Sequence, residues 1–239
     1  GFLAMASVLT VQALFFADGG LLALGCNIFN LGFFPCFVAY PLIFRPLLGT
    51  APTRGWLLVA SLVAAVAALQ LGAFFVVLQT LLSGISELPF APFLMLMQPI
   101  HLAIGIVEGL VTAAVVGYVW KARPDILTMP GGKVLTPGWQ PVLISLVVAT
   151  LLVGVVLSWF ASSRPDGLEW AMFHTSGREE PVAPEAGVHQ ALAGLQEKTS
   201  LLPDYGFKEG LEEGGEVAEV WPAVDTGTSL SGLVGGLLT

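Results

Sequence analysis

Charge is the first shortage. Only 11% of the 239 residues are Asp, Glu, Lys or Arg, against 55% hydrophobic. An ordinary soluble domain carries about 25% charged residues. So little polar surface cannot cover a globule in water, which excludes a soluble enzyme, a nucleic-acid binder and a disordered chain. Cysteine is also scarce. Cys26 and Cys36 lie in one apolar run with no zinc-like spacing, so packed, neutral thiols are expected. A Gly-rich ATP-binding loop is missing, so the energy for any transport comes from another chain or from a gradient. No basic region precedes the first apolar run, so that run is not a signal peptide.

What the chain does have is long apolar runs: 1–17, 21–44, 55–82, 92–120 and 141–161. In hydrocarbon every backbone N–H and C=O must be satisfied internally, so these runs are expected as helices. The first is short. The closing stretch 229–239 is apolar overall but only eleven residues long, where a membrane helix needs about 20. With Gly1 at its start, the chain reads as an internal piece of a longer membrane protein. The basic residues are one-sided. Arg45 and Arg54 lie in 42–54, and Lys121, Arg123 and Lys133 in 121–140, whereas the turn Asp18-Gly19-Gly20 and the loop 83–91 carry none. Alternate crossings place all five on one face, which the positive-inside rule makes cytoplasmic. Residues 162–228 hold thirteen acids and four bases and so form an acidic extracytoplasmic loop. The fold class expected is an all-α polytopic membrane protein, a bundle of transmembrane helices with that one loop outside.

Polar residues inside these runs point to function, because an ionisable group at membrane depth is costly. At about 100° per residue, Gln98, His101, Glu108 and Thr112 fall on one side of the fourth run. Gly105, Gly109, Ala113 and Gly117 form a stripe beside them that lets another backbone approach. His101 and Glu108 either pair with neighbours and fix packing, or act near a transported species. The second run is punctuated by Gly25, Asn27, Asn30, Gly32, Pro35 and Pro41, which predicts irregular backbone lining a cavity. Asn27 and Asn30 offer amide oxygens to a ligand, with interhelical hydrogen bonding the plainer reading of Asn30. The third run, with Gln70 and Gln79, reads as a packing helix. In the acidic segment, Val188, Leu192 and Leu195 recur at helical spacing, predicting a short amphipathic helix over 185–197. The tract 208–219 is rich in Gly and Glu and reads as loose. His174 and His189 offer nitrogen to a cation there, against the plainer reading of a solvated loop. A connection this long suits contact with a partner.

Two stretches resemble a known signature: Val11-Gln12-Ala13-Leu14-Phe15-Phe16-Ala17-Asp18-Gly19-Gly20-Leu21-Leu22-Ala23-Leu24-Gly25-Cys26-Asn27-Ile28-Phe29-Asn30, and Gln98-Pro99-Ile100-His101-Leu102-Ala103-Ile104-Gly105-Ile106-Val107-Glu108-Gly109-Leu110-Val111-Thr112. Both resemble the CbiM/NikM family, the cobalt- and nickel-recognising membrane subunits of energy-coupling-factor (ECF) transporters. A third stretch, Pro165-Asp166-Gly167-Leu168-Glu169-Trp170-Ala171, resembles the PDGLE segment of the small companion subunit CbiN/NikN. Leu202-Pro203-Asp204-Tyr205 and Ser229-Leu230-Ser231-Gly232-Leu233-Val234-Gly235 are similar to that subunit too.

The resemblance implies a fusion. Residues 1–120 would be the last four spans of the metal-recognising subunit and 121–140 a cytoplasmic linker. Residues 141–239 would be the companion segment, with a span at 141–161, the loop 162–228 and the start of a last span at 229–239. It implies a substrate-capture subunit for ATP-driven uptake of Co²⁺ or Ni²⁺, the first for cobalamin synthesis and the second for nickel enzymes. No cofactor would be permanently bound, and the metal would be cargo. The partners implied are a transmembrane coupling subunit, cytoplasmic ATPases and the lipid bilayer of a prokaryotic cytoplasmic membrane, with no nucleic acid. In the family the metal is held by an N-terminal Met-His and a second His further on, a nitrogen set suited to Ni(II) or Co(II). Neither element stands in this sequence, and His101, His174 and His189 do not match those positions. Asn27 and His101, inside the matching stretches, are therefore candidates for the shell that orients ligands. Cys26 stands where a small residue such as Ala is expected. Two other readings remain at this stage. One is a membrane-anchored extracytoplasmic module for metal sensing or interaction. The other is a gradient-driven secondary transporter using His101 and Glu108, against which the lack of internal repeats counts.

Overall fold

The computed structural model describes residues 1–84, 88–123, 140–161, 164–178, 187–207 and 221–238. Glu87, most of the expected cytoplasmic linker and the Gly/Glu-rich tract 208–219 lie outside the described residues. Every regular element among the described residues is a helix. They are α1 (Phe2–Phe15), α2 (Leu24–Leu48), α3 (Arg54–Ser83), α4 (Phe90–Ala122), α5 (Gln140–Val155), α6 (Gly167–Ser176), α7 (Val188–Thr199) and α8 (Thr226–Leu238). Three of these, α2, α3 and α4, are long and apolar enough to cross a membrane. The chain is an all-α polytopic membrane protein.

Local chemistry accounts for the ends of these helices. Thr53 caps α3, its hydroxyl accepting from the Trp56 N–H at 3.2 Å, and Gly84 ends the helix in the left-handed region at φ 66°. In α2 the expected irregularity takes an unexpected form. The helix does not unwind. Instead Phe29–Phe44 is wound as a π-helix with Pro35 and Pro41 inside it. A proline lacks an N–H and crowds the carbonyl one turn back, and the wider coil accommodates both rings. Such winding elsewhere is confined to single turns near functional sites. Cys26 corrects the expectation of packed thiols. It is exposed, because the start of α2 leaves that side uncovered, while Cys36 is half-buried; both are free.

The chain divides into two compact units. The first comprises Gly1–Phe2, Ile28–Val142 and Pro165–Val182. Small residues of α3 let its neighbours come close: Ala64 and Ala68 pack on Ala39 of α2. Its larger core joins Ala73, Val77, Leu88, Phe93 and Met97 to Ala171 and Met172 of α6. Part of the expected acidic loop is therefore a helix seated on the bundle. The second unit comprises Leu3–Asn27, Leu143–Arg164 and Ala183–Thr239. Here α5 ends in a 3-10 turn, Leu157–Phe160, and meets α8 at glycine. A Cβ on Gly232 would collide with the Gly154 carbonyl. The Trp159 indole donates to Ser229 Oγ at 2.7 Å, and that hydroxyl donates to the Val155 carbonyl at 2.8 Å. α8 begins three residues before the expected last span. α7 forms close to where it was expected, yet Val188 and Leu195 on its apolar stripe stay exposed.

Candidate functional site

The turn after α1 is the most densely bonded place in the second unit. The carbonyl of Phe15 accepts from the N–H groups of Leu201 (2.9 Å) and Leu202 (3.1 Å), and that of Phe16 from Asp204 (2.9 Å). Gln196 Oε1 accepts from the Leu21 N–H at 3.1 Å. The Tyr205 hydroxyl donates to Asp18, and Gln12 Nε2 reaches the Tyr205 oxygen at 3.2 Å and Asp18 at 3.3 Å. The Tyr205 ring stacks on Phe16, with centroids 5.1 Å apart, and Ser231 donates to the Tyr205 carbonyl at 2.9 Å. Three residues other than glycine adopt positive φ here, Ala17, Asp204 and Tyr205. Backbone strain of this kind persists only where surroundings over-determine it. Asn27 joins this assembly, its Nδ2 donating to the Gly19 carbonyl at 3.2 Å. Tyr205 is pushed above its ordinary phenol range, first by burial and then by the bond to Asp18. It is therefore neutral, and a donor, throughout the physiological range.

In the first unit His101 lies half-buried on α4. Its Nδ1 is 2.8 Å from the Met97 carbonyl, which can only accept. Nδ1 therefore carries a proton and donates it to that carbonyl. Each residue of the run Pro165 to Glu169 has a local task. Pro165 precedes the helix. Asp166 caps α6, accepting from Leu168 (2.7 Å) and Glu169 (2.8 Å), while Glu169 accepts from the Asp166 N–H at 3.0 Å, a reciprocal capping box. Leu168 packs on the core. Gly167 is where α6 touches α4. A Cβ there would lie 2.7 Å from Ile100 and 3.8 Å from the His101 ring. The glycine stripe of α4 faces α3: a Cβ on Gly105 would lie 3.0 Å from the Val66 Cα, on Gly109 2.7 Å from the Leu62 Cα, and on Gly117 3.6 Å from Leu57. Ala113 is half-buried on the same stripe.

Not every polar residue of α4 turns inward. Gln98 does, exchanging bonds with the third helix: Gln70 donates to its carbonyl at 2.8 Å and Gln98 to that of Gln70 at 3.3 Å. Glu108 and Thr112 are exposed. Glu108 sits about 80° round the helix from the line through Gly105 and Gly109, outside the strip that α3 covers. Asn30 pairs with Gln79, amide to amide, at 2.8 and 3.3 Å, the interhelical role that its position suggested. Asn27 belongs to the second unit and His101 to the first. Among the described residues no three His, Cys, Asp or Glu side chains gather as a metal site. Gln12 and Asp18 lie in the first matching stretch and Tyr205 in Leu202-Pro203-Asp204-Tyr205, but their spacing assigns them no task, and Gln196 carries no signal of its own. The signal was there in Leu202-Pro203-Asp204-Tyr205, which holds one of only three tyrosines.

Residues 1–126 match the family model CbiM, described as the cobalt uptake substrate-specific transmembrane region. The chain belongs to the CbiM family. A second family model, the PDGLE domain, matches residues 140–239 of this CbiM-family chain. Among relatives of this CbiM member, the fused nickel transport protein NikMN of Archaeoglobus fulgidus is 30% identical over 243 residues, covering 100% of the chain and 68% of that protein. A metal transport protein of Haloquadratum walsbyi is 36% identical over 131 residues, 53% of the chain and 56% of that protein. One of Methanocaldococcus jannaschii is 36% identical over 130 residues, 53% and 57%. The chain thus spans about two thirds of the first relative and little more than half of the others. No solved structure matches it.

Proposed function

We propose that this chain is the substrate-capture part of an ECF-type importer of Co²⁺ or Ni²⁺ in a prokaryotic cytoplasmic membrane. The observation that carries this is the order of its two halves: a CbiM match followed by a PDGLE match in one polypeptide, as in a relative named for nickel transport. Cargo would be cobalt for cobalamin synthesis or nickel for nickel enzymes. ATP hydrolysis would fall to cytoplasmic partners acting through a transmembrane coupling subunit. Within this reading Asn27 and His101 orient ligands rather than bind the ion. The geometry supports such roles. Asn27 is tied to Gly19 in the turn that Tyr205 and Gln196 grip, so the companion segment sets its position. The His101 ring is held in one orientation by the bond from its Nδ1 to Met97. The five bases of 42–54 and 121–140 would face the cytoplasm and the segment 162–228 the outside.

The gradient-driven alternative would need His101 and Glu108 to act together; they are seven residues apart on one helix, with His101 half-buried and Glu108 exposed. The test is accumulation of radiolabelled nickel and cobalt in cells carrying the whole transporter. Uptake of either ion that vanishes when the partner ATPase is inactivated is expected. Uptake that persists without ATP hydrolysis and follows the proton gradient would refute the proposal.

A further inference from the structure

The second unit carries an aromatic cluster beside the α5–α8 contact, in which Trp159 is already bonded to Ser229. Where α5 ends, Trp159 and Phe160 lie in its closing 3-10 turn. Trp221, a few residues before α8, meets Phe160 edge-on with centroids 5.5 Å apart. The Ala223 N–H donates to the Trp159 carbonyl at 2.9 Å, which ties the two segments side by side. The two tryptophans differ in their needs. Trp159 spends its indole N–H on Ser229. Trp221 is 69% exposed. Phe160, Leu157 and Val224 around it are exposed as well. The cluster lies at the end of the apolar helix α5 and just before α8. Asp225, Thr226 and Thr228 supply polar groups where α8 begins.

A large apolar ring that carries an N–H suits neither water nor hydrocarbon. It suits the boundary between them, where the ring lies among acyl carbons and the N–H meets ester or phosphate oxygens. We infer that Trp159, Phe160 and Trp221 form an interfacial anchor that seats the end of α5 and the start of α8 at the lipid headgroup boundary. The occupant of this surface is phospholipid. The position follows from continuity: the cluster stands where two apolar helices both give way to polar chain. Ser229 satisfies the Trp159 N–H from within, and Trp221 is the exposed tryptophan of the pair.

The test is fluorescence quenching of the whole chain in phosphatidylcholine vesicles, with the other five tryptophans, Trp56, Trp120, Trp139, Trp159 and Trp170, changed to Phe. Bromine placed on the acyl chains near the headgroup should quench Trp221 more strongly than bromine near the chain ends, and aqueous iodide should quench it only weakly. Should that variant fold poorly, the difference between the native chain and Trp221→Phe gives the same emission. Strong iodide quenching would place Trp221 in water. Strongest quenching by deep bromine would place it in the core, and none by either would mean that protein covers it. Each of these three results overturns the anchor, whatever ion the chain transports.

Discussion

Tyr205 is the residue on which the turn after α1 depends. Its folded pKa is raised, so its contribution is complete below the ordinary phenol value of about 10 and is lost only as pH rises beyond it. Tyr205→Phe keeps the stack on Phe16 and removes the bond to the exposed Asp18. The expected cost is about 1 kcal/mol, read as a lower midpoint of thermal unfolding in detergent. In a double-mutant cycle, Asp18→Asn should cost little further in the Phe background. Full additivity would show that the two residues do not interact. Asp225 has the opposite sign. The Thr228 N–H, 2.7 Å from its carboxylate, holds it below the usual carboxylate range. Its stabilisation is therefore present above about pH 4 and fades as pH falls through the lowered value. Asp225→Ala should cost about 0.5–2 kcal/mol near neutrality and almost nothing in strong acid. A gap that is constant with pH would exclude the charged cap. These two residues also mark the limit of sequence reading. Asp225 was not singled out, and Tyr205 was visible as part of a motif. That Tyr205 would meet Asp18 was not, because no local spacing encodes a bond between residues 187 positions apart.

At the level of helices, glycine decides where backbones touch. A side chain on Gly109 would overlap the Leu62 backbone. Gly109→Leu should therefore destabilise by about 1–3 kcal/mol through overpacking, and an unchanged melting temperature would mean that α3 and α4 separate freely. Gly232→Ala should act in the same direction through Gly154. Gly194→Ala, in the middle of α7 with no atom near its would-be Cβ, should instead stabilise by about 0.5–1 kcal/mol. If all three moved together, glycine's backbone freedom would matter more than space. The stripe Gly105, Gly109, Ala113 and Gly117 was legible because helical spacing alone aligns it. The same spacing puts Glu108 and Thr112 on one side with Gln98 and His101, yet these two are exposed. A helical wheel gives directions but not the width of the neighbour that covers them. Two further features escaped the sequence. The π-winding of α2 did, since prolines announce a disturbance without its form. The helix α6 did too, because it lies inside a polar, acidic stretch, although Asp166 and Glu169 three apart are a capping signature.

For the molecule as a whole, hydropathy carried most of the information. Five apolar runs became five helices with ends shifted by a few residues, because membrane length and backbone satisfaction leave little choice. Sidedness is the open property, and it can be measured. With Cys26 and Cys36 replaced, Arg54→Cys and Val188→Cys should react from opposite sides. A membrane-impermeant thiol reagent on intact cells should modify position 188 and spare position 54. Labelling of both, or only of 54, would invert or dissolve the arrangement.

The length of α4 has a consequence of its own. Its 33 residues make a rod about 50 Å long, while the oily interior of a bilayer is about 30 Å deep. Even leaning by about 40°, the upper end of what is usual, such a rod overhangs. A span with length to spare adjusts to thinner or thicker lipid by changing its lean. Reconstitution into short-chain and long-chain phospholipid should therefore leave its seating tolerant of either.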